Sequence, residues 1–275
     1  MKNLLKDKHV LITGGGRGIG KRLAIGLAQM GARVGLVARS KAELDLAALE
    51  IEQAGGTSMR VRADVRDYEQ LTAAVERLRV HFGPLDVLIC AAAIQGPIGP
   101  LVDVAPKPWL ETLETNVGGV FNACHAVVPG MMERRHGKVI VLAGGGAAKP
   151  RPFFSAYAAS KAAVVRLVES LAEEVRDYNI QVNCLSPGGS YTVMTDEILR
   201  AGEKAGPKDS EEAKRVRQTG GVAPERQIQL AAFLASERSN HISGKMIHVD
   251  DDWKKLEKGA VNPELYTLRR ILKIN

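Results

Sequence analysis

The sequence predicts an α/β protein: a single doubly wound domain, with a parallel sheet of about seven strands and helices on both faces. Three observations predict it. Short, nearly all-apolar runs alternate with longer amphipathic stretches, the order expected of parallel strands buried on both faces. The first apolar run leads directly into a cluster of glycines, Gly14 to Gly20. No internal repeat and no Pro/Ser-rich linker interrupts the pattern.

The elements follow in order. His9–Thr13 (HVLIT) is a buried strand. The helix from Gly18 to Met30 places Ile19, Leu23, Leu27 and Met30 on one stripe, and Gly31 stops it. Arg33–Ala38 is the next strand and Lys41–Ala54 the next helix, ended by Gly55 and Gly56. Strand 59–63 and helix Tyr68–Phe82 come next, with Gly83-Pro84 as the stop. Strand 85–90 precedes a long helix over Trp109–Arg135, which Pro129 is expected to kink or divide. Strand 138–142, helix 155–178 and strand 181–185 repeat the unit. A polar, helix-prone excursion covers 195–218, and helix 224–236 leads into a last strand, 246–249.

Composition sets the bounds. A chain of 275 residues can bury a sizeable core. With 45% apolar and 25% charged residues, wholesale disorder is excluded. The 28 Gly show no three-residue period and there are only three Cys, which excludes collagen-like and disulfide-scaffold classes. Lys6, Asp7 and Lys8 interrupt the N-terminal leucines, so no secretory signal is read there, and no window is apolar enough to span a membrane. Cys90, Cys124 and Cys184 lie in apolar surroundings and read as buried free thiols. The six His lack metal-ligand spacing, so no metal is expected. A reducing cytoplasm is the expected compartment. The net charge of +7 leaves anionic partners open, but no nucleic-acid recognition motif appears, and neither nucleic acid nor membrane is expected as a partner.

The glycines carry the first chemistry. Gly14, Gly16, Gly18 and Gly20 stand between a strand and a helix, where the backbone can approach a pyrophosphate and the helix N-terminus favours anions. This is a Rossmann-type arrangement. The strand ending at Ala38 is followed by Arg39, not by an acid that would grip ribose hydroxyls. Arg39 and Arg17 therefore favour the 2′-phosphate of NADP(H) over NAD(H). Asp64 and Val65 end the third strand, where a side chain can reach an adenine amino group. Tyr157 and Lys161 are four apart on one helical face.

With TGGGRGIG (13–20), Asp64, Asn116, YAASK (157–161) and PGGSYTVM (187–194) in this order, the chain resembles the short-chain dehydrogenase/reductase family over about residues 5–250. Its closest flavour is that of 3-oxoacyl-carrier-protein reductases and related carbonyl reductases. The resemblance implies an enzyme that interconverts a ketone and a secondary alcohol, with a small carbonyl or alcohol substrate. It implies Asn116, Tyr157 and Lys161 as catalytic residues, with Tyr157 as general acid/base. Lys161 would lower the Tyr157 pKa and bind the nicotinamide ribose, and Asn116 would hold a water that relays protons to Lys161. Thr13, Ile19, Ala91, Pro187, Gly188 and Thr192 would complete the cofactor site with the glycines. A homo-oligomer, tetramer or dimer, is implied as well.

The chain departs from that family at Gly144, where a Ser usually donates to the substrate oxygen. Losing such a donor typically costs on the order of 10²–10³ in rate. Three explanations stay open: the glycine N–H groups replace the hydroxyl, Ser190 or Tyr191 reaches in, or the protein binds a dinucleotide as a sensor or assembly subunit with weak or lost catalysis. The family's Asn-Asn-Ala-Gly is here Cys90-Ala91-Ala92-Ala93, which bears on packing. The segment 192–221 takes the place of the family's substrate lid. Trp109 and His125 are expected in the core, and Phe153 and Phe154 at the pocket or an interface. Arg134, Arg135 and Arg176 read either as a patch for an acyl-carrier protein or as solvated helix ends. Residues 1–252 form the catalytic domain, and 253–275 a basic extension holding +4 of the net charge, expected to dock on a neighbouring subunit or rim the pocket.

Overall fold

The strands predicted from the apolar runs pair into one sheet. In the computed structural model, which describes residues 3–259, 261–262 and 264–268, they are β1 (His9–Thr13), β2 (Arg33–Ala38), β3 (Thr57–Arg62), β4 (Val87–Cys90), β5 (Gly137–Leu142), β6 (Ile180–Ser186) and β7 (Met246–His248). Their order is β3-β2-β1-β4-β5-β6-β7, and every pairing is parallel. The chain moves outward one way from β1 to β3, then returns to pair β4 with β1 and moves out the other way. The crevice between the ends of β1 and β4 is thus the switch point where such sheets bind ligands.

Alternation along each strand feeds two cores. Val10 and Ile12 of β1, Val87 and Ile89 of β4, and Ile140 and Leu142 of β5 face one layer. Leu11, Leu88, Cys90, Val139 and Val141 face the other. Helices α1 (Gly18–Ala28), α2 (Lys41–Gln53) and α9 (Pro224–Ala235) cover the first face. Helices α3 (Tyr68–Phe82), α5 (Gly119–Arg134) and α6 (Ser155–Glu174) cover the second. Ser40 caps α2 by accepting from the Glu43 N–H, and Asp67 caps α3 by accepting from the Gln70 N–H. Cys90, Cys124 and Cys184 are buried free thiols.

Three local features differ from the sequence reading. The long helix is built as α4 (Pro106–Leu113), a π-helical turn at Glu114–Gly118, and α5; Pro129 lies inside α5 without dividing it. The irregularity comes at the π turn because Asn116 is drawn inward by tertiary bonds, which no local pattern reports. His125 is exposed, not in the core, and its Nδ1 meets the Tyr68 hydroxyl at 2.8 Å. Trp109 is half-buried, with Nε1 donating to Ser155 Oγ at 3.1 Å.

The polar excursion folds as α7 (Val193–Ala201), a short 3₁₀ turn and α8 (Gly206–Thr219), over a small core of Phe154, Ile198, Ala205 and Ala213. After β7, α10 (Trp253–Leu256) returns to the body, where Trp253 stacks on Phe233 with ring centroids 5.0 Å apart. The Met246 N–H donates to Tyr266 O at 2.7 Å, and Arg166 Nη2 donates to Leu268 O at 2.7 Å. The described part of the extension therefore packs against the body of the same chain, along β7 and α6. The remaining basic residues of the extension, Arg269, Arg270 and Lys273, lie outside the described residues. Among the described residues, no helix is long and apolar enough to cross a membrane.

Phe233 is fully buried beneath Trp253. Phe233→Ala is expected to lower stability by about 3–5 kcal/mol in urea unfolding, and Trp253→Ala, whose ring is half-buried, by clearly less.

Candidate active site

The crevice at the switch point opens into a cleft of about 1170 Å³. The glycine turn after β1 forms one wall. Gly14 has φ +68°, and a Cβ there would stand 2.6 Å from the Ala92 nitrogen. A Cβ on Gly20 would stand 2.3 Å from the Gly14 carbonyl oxygen. Only glycine allows β1, α1 and the loop after β4 to approach this closely. Gly16, Arg17, Gly18, Ile19 and Ala91 line the same wall. Thr13 lies beneath it, buried, with its Oγ1 3.5 Å from the Ala92 N–H. This backbone cradle at the N-terminus of α1 fits a dinucleotide pyrophosphate.

Arg39, Asp64 and Val65 line the outer end of the cleft. The charges there are already paired. Arg17 Nη1 lies 3.2 Å from Glu43 Oε1, and Arg39 Nη1 lies 4.0 Å from Asp64 Oδ2. Arg66 holds Asp64 more closely, Nη2 to Oδ2 at 2.6 Å, and keeps its carboxyl below the usual range. Glu43 and Arg66 escaped the sequence reading because each acts from outside the glycine and strand-end motifs.

Tyr157 and Lys161 project from the first two turns of α6 onto the cleft floor. The Lys161 amine donates to Leu142 O at 2.8 Å and stands 5.5 Å from the centre of the Tyr157 ring. Burial lowers its pKa to about 8. Burial raises the Tyr157 pKa, against the charge of Arg151, whose guanidinium carbon lies 5.4 Å from the same ring. Arg151 was missed by the sequence reading, since it sits in a loop with no motif.

Asn116 does not line the cleft; it braces it from behind. Its Oδ1 accepts from the Ile94 N–H at 2.8 Å, and its Nδ2 donates to Ile94 O and to Ser160 Oγ, each at 3.0 Å. Ser160 in turn donates to Tyr157 O at 2.7 Å. The π turn is thereby tied to the loop after β4 and to α6.

At Gly144 the Tyr157 hydroxyl approaches the bare backbone: a Cβ there would stand 2.8 Å from Oη. Tyr191 donates its hydroxyl to Asp196 at 3.0 Å, and Ser190 Oγ accepts from Gln227 at 2.5 Å. Of the two stand-ins for the missing serine, Tyr191 thus has its donor proton engaged by Asp196, whereas Ser190 accepts and its own hydroxyl proton is not used by that bond. The N–H groups of Gly145 and Gly146 make no hydrogen bond with another described residue. Pro187, Gly188 and Thr192 line the far wall, and Thr192 caps α7 with a reciprocal bond to Thr195. A Cβ on Gly18 would stand 3.5 Å from Thr192 Cγ2, so the base of the excursion closes over the glycine turn. Phe154 is buried beneath the excursion, while Phe153 packs against Gly206. Arg134, Arg135 and Arg176 are engaged at helix ends, with Gly130 and Leu85, with Asp177, and with Glu173. Among the described residues, no group of His, Cys, Asp and Glu could hold a metal ion.

A glycine cradle on α1 beside a Tyr–Lys pair with a buried amine defines a nicotinamide-dinucleotide oxidoreductase. The chain belongs to the short chain dehydrogenase family, which it matches over residues 8–202. It is 34% identical over 249 residues to the oxidoreductase UcpA of Salmonella typhimurium, covering 90% of this chain and 94% of that protein. It is 32% identical over 256 residues to the 3-oxoacyl-[acyl-carrier-protein] reductase FabG of Staphylococcus aureus, covering 88% and 96%. Actinorhodin polyketide ketoreductase, solved with NADPH, superposes with a TM-score of 0.82 at 28% identity, covering 90% and 97%. NAD+-bound xylitol dehydrogenase superposes with a TM-score of 0.81 at 27% identity, covering 89% and 98%. This is therefore an enzyme of CH–OH and C=O chemistry that binds a nicotinamide dinucleotide.

With its pKa near 8, Lys161 is cationic below that pH and neutral above it. NMR titration of its side chain is expected to give a midpoint near pH 8, and reduction is expected to slow as pH rises through the same region. A midpoint at the solution value of about 10.4 would show that the amine is not desolvated.

Proposed function

We propose that this enzyme uses NADP(H) to interconvert a ketone and a secondary alcohol, with Tyr157 as the general acid and base. The observation that carries the proposal is the Tyr157–Lys161 pair on the cleft floor, with the phenol against Gly144 and the amine fixed to Leu142. When bound, the nicotinamide supplies or accepts the hydride at the carbonyl carbon.

The residues of the chain do the rest. In the reductive direction Tyr157 gives its Oη proton to the carbonyl oxygen as negative charge develops there. A free phenol has a pKa of about 10, and burial of Tyr157 raises it further. Cationic groups nearby must offset that. Lys161 and Arg151 are the two within reach of the ring. Asn116 keeps α6 in place through Ile94 and Ser160, and the relay water that the family resemblance gives it belongs to the same proposal. The unbonded N–H groups of Gly145 and Gly146 take the part of the absent serine hydroxyl as donors to the oxyanion. Gly14 to Gly20 would hold the pyrophosphate, with Thr13 and Ala91 shaping the turn. Pro187, Gly188 and Thr192 would flank the nicotinamide, and Lys161 would hold its ribose. Asp64 and Val65 would border the adenine.

Arg39 and Arg17 support NADP(H), since both stand at the outer end of the cleft. The solved relatives include one with NADPH and one with NAD+, so the preference rests on these two arginines. The α7–α8 excursion acts as the substrate lid. A 3-oxoacyl thioester is among the substrates, in line with the similarity to FabG. A homo-oligomer in the cytoplasm completes the reading. A second reading is favoured by Gly144 alone: a dinucleotide-binding sensor or assembly subunit with little catalysis.

NADPH oxidation against a panel of ketones and 3-oxoacyl thioesters separates the two. Tyr157→Phe is expected to lower kcat by about 10²–10⁴. Tight NADPH binding with no turnover on any carbonyl, and no effect of Tyr157→Phe, would establish the second reading. In the same assay Arg39→Asp is expected to shift preference from NADPH toward NADH by about tenfold or more. Retained NADPH preference would contradict the cofactor assignment.

A further inference from the structure

The cations of the cleft fall into two groups. Arg17, Lys21, Arg22 and Arg39 belong to the dinucleotide half, whereas Lys149, Arg151 and Lys161 come from the β5–α6 half. Lys149 is exposed, and Lys161 is tied to Leu142 O. Arg151 is placed differently. Its guanidinium carbon lies 3.9 Å from the centre of the Phe154 ring and 5.4 Å from that of Tyr157, and its side chain is only 16% exposed. Both Nε and Nη2 reach a single oxygen, Asp209 Oδ1, at 2.9 and 2.8 Å. Nη1 makes no hydrogen bond to another described residue, and it lies 3.9 Å from where a Gly145 Cβ would stand. The Tyr157 hydroxyl meets the neighbouring residue of the same turn, 2.8 Å from where a Gly144 Cβ would stand.

Proton donor and guanidinium thus look onto one floor, Gly144 to Gly146, which carries no side chains. A carbonyl oxygen held at Tyr157 Oη leaves the next few bonds of the substrate over this floor, beside Nη1. We propose that Arg151 is the specificity residue of the site: it receives a carboxylate carried a few bonds from the reacting carbonyl, so that the preferred substrates are short oxo acids and the corresponding hydroxy acids. This rests on the ketone–alcohol reading above and names its substrate class.

The choice of anion follows from charge and shape. One planar guanidinium edge matches a monovalent carboxylate, whereas a phosphate dianion would call for a second cation close by. Asp209, in the first turn of α8, keeps the half-buried guanidinium neutralised before substrate arrives. It occupies one edge and leaves the other for the ligand. Phe153, with φ +69°, packs on Gly206 at the start of the same helix. The loop before α6 therefore grips the lid at two points, and a substrate anchored on Arg151 is anchored to the lid as well.

The test uses the full chain with NADPH and pairs of 2-oxo and 3-oxo acids with their methyl esters. The wild type is expected to favour the acid in kcat/KM by about 10- to 100-fold, the fold-change of one charge-assisted hydrogen bond, chiefly through KM. In Arg151→Gln the ratio is expected to fall to near one, with part of it restored in Arg151→Lys. Asp209→Asn breaks the same ion pair but leaves the cation, and is expected to keep or raise the ratio. A wild-type ratio near one, or equal losses in Arg151→Gln and Asp209→Asn, would overturn the proposal and leave Arg151 as a latch for the lid. Absence of turnover on this panel, with turnover on simple ketones or 3-oxoacyl thioesters, would likewise overturn the proposal; absence of turnover on all of them would overturn the ketone reading instead. Thermal stabilisation of the NADPH complex by malonate, expected in the wild type and lost in Arg151→Gln, then still decides whether the anion site exists.

Discussion

The buried amine of Lys161 is the constraint around which the site is arranged. An ammonium withdrawn from water is unstable unless hydrogen-bonded, and its partner here is the Leu142 carbonyl at the end of β5, 2.8 Å away. That bond fixes α6 against the C-terminal edge of the sheet. Tyr157, one helical turn earlier, is then held over Gly144. Asn116, in the π turn, ties Ser160 of the same helix to Ile94 in the loop after β4. Desolvation lowers the amine's pKa to about 8, within reach of working pH, which makes its charge responsive to whatever stands beside it.

The central strands were legible because they lie between two helical layers and read as largely apolar runs, whereas the edge strand β3 (TSMRVR) exposes Arg60 and Arg62. Val87–Cys90 and Gly137–Leu142 are buried along their whole length, so no solvent-facing residue blurs the pattern. The glycine turn was legible for a different reason: a Cβ at Gly14 or Gly20 would collide with backbone, and the sequence has to show glycine there. The π turn at Glu114–Gly118 was not legible, whereas Gly202 and Gly206 mark the break between α7 and α8 in the sequence. The π turn depends on a contact far along the chain, of Asn116 with Ser160. His125 was expected in the core because its neighbours are apolar, yet it points outward to Tyr68.

Of the site, the Tyr–Lys pair and the dinucleotide cradle could be read directly, because their spacing is set by one helix and one turn. The surroundings that tune them could not. Arg151, Glu43 and Arg66 come from loops and helices whose approach is decided by the fold. The absence of the serine at Gly144 was visible, but its surroundings were not: Tyr191 is engaged by Asp196, and the N–H groups of Gly145 and Gly146 make no hydrogen bond with another described residue.

The central claim is direct transfer of hydride to a carbonyl carbon beside Tyr157. Reduction of a ketone with NADPH deuterated on one face of the nicotinamide C4 tests it most directly, with the product examined by mass spectrometry and NMR. The account predicts that deuterium from one of the two C4 epimers appears at the carbinol carbon, in a single product configuration. Carbinol free of deuterium with both epimers, or a racemic product, would contradict it.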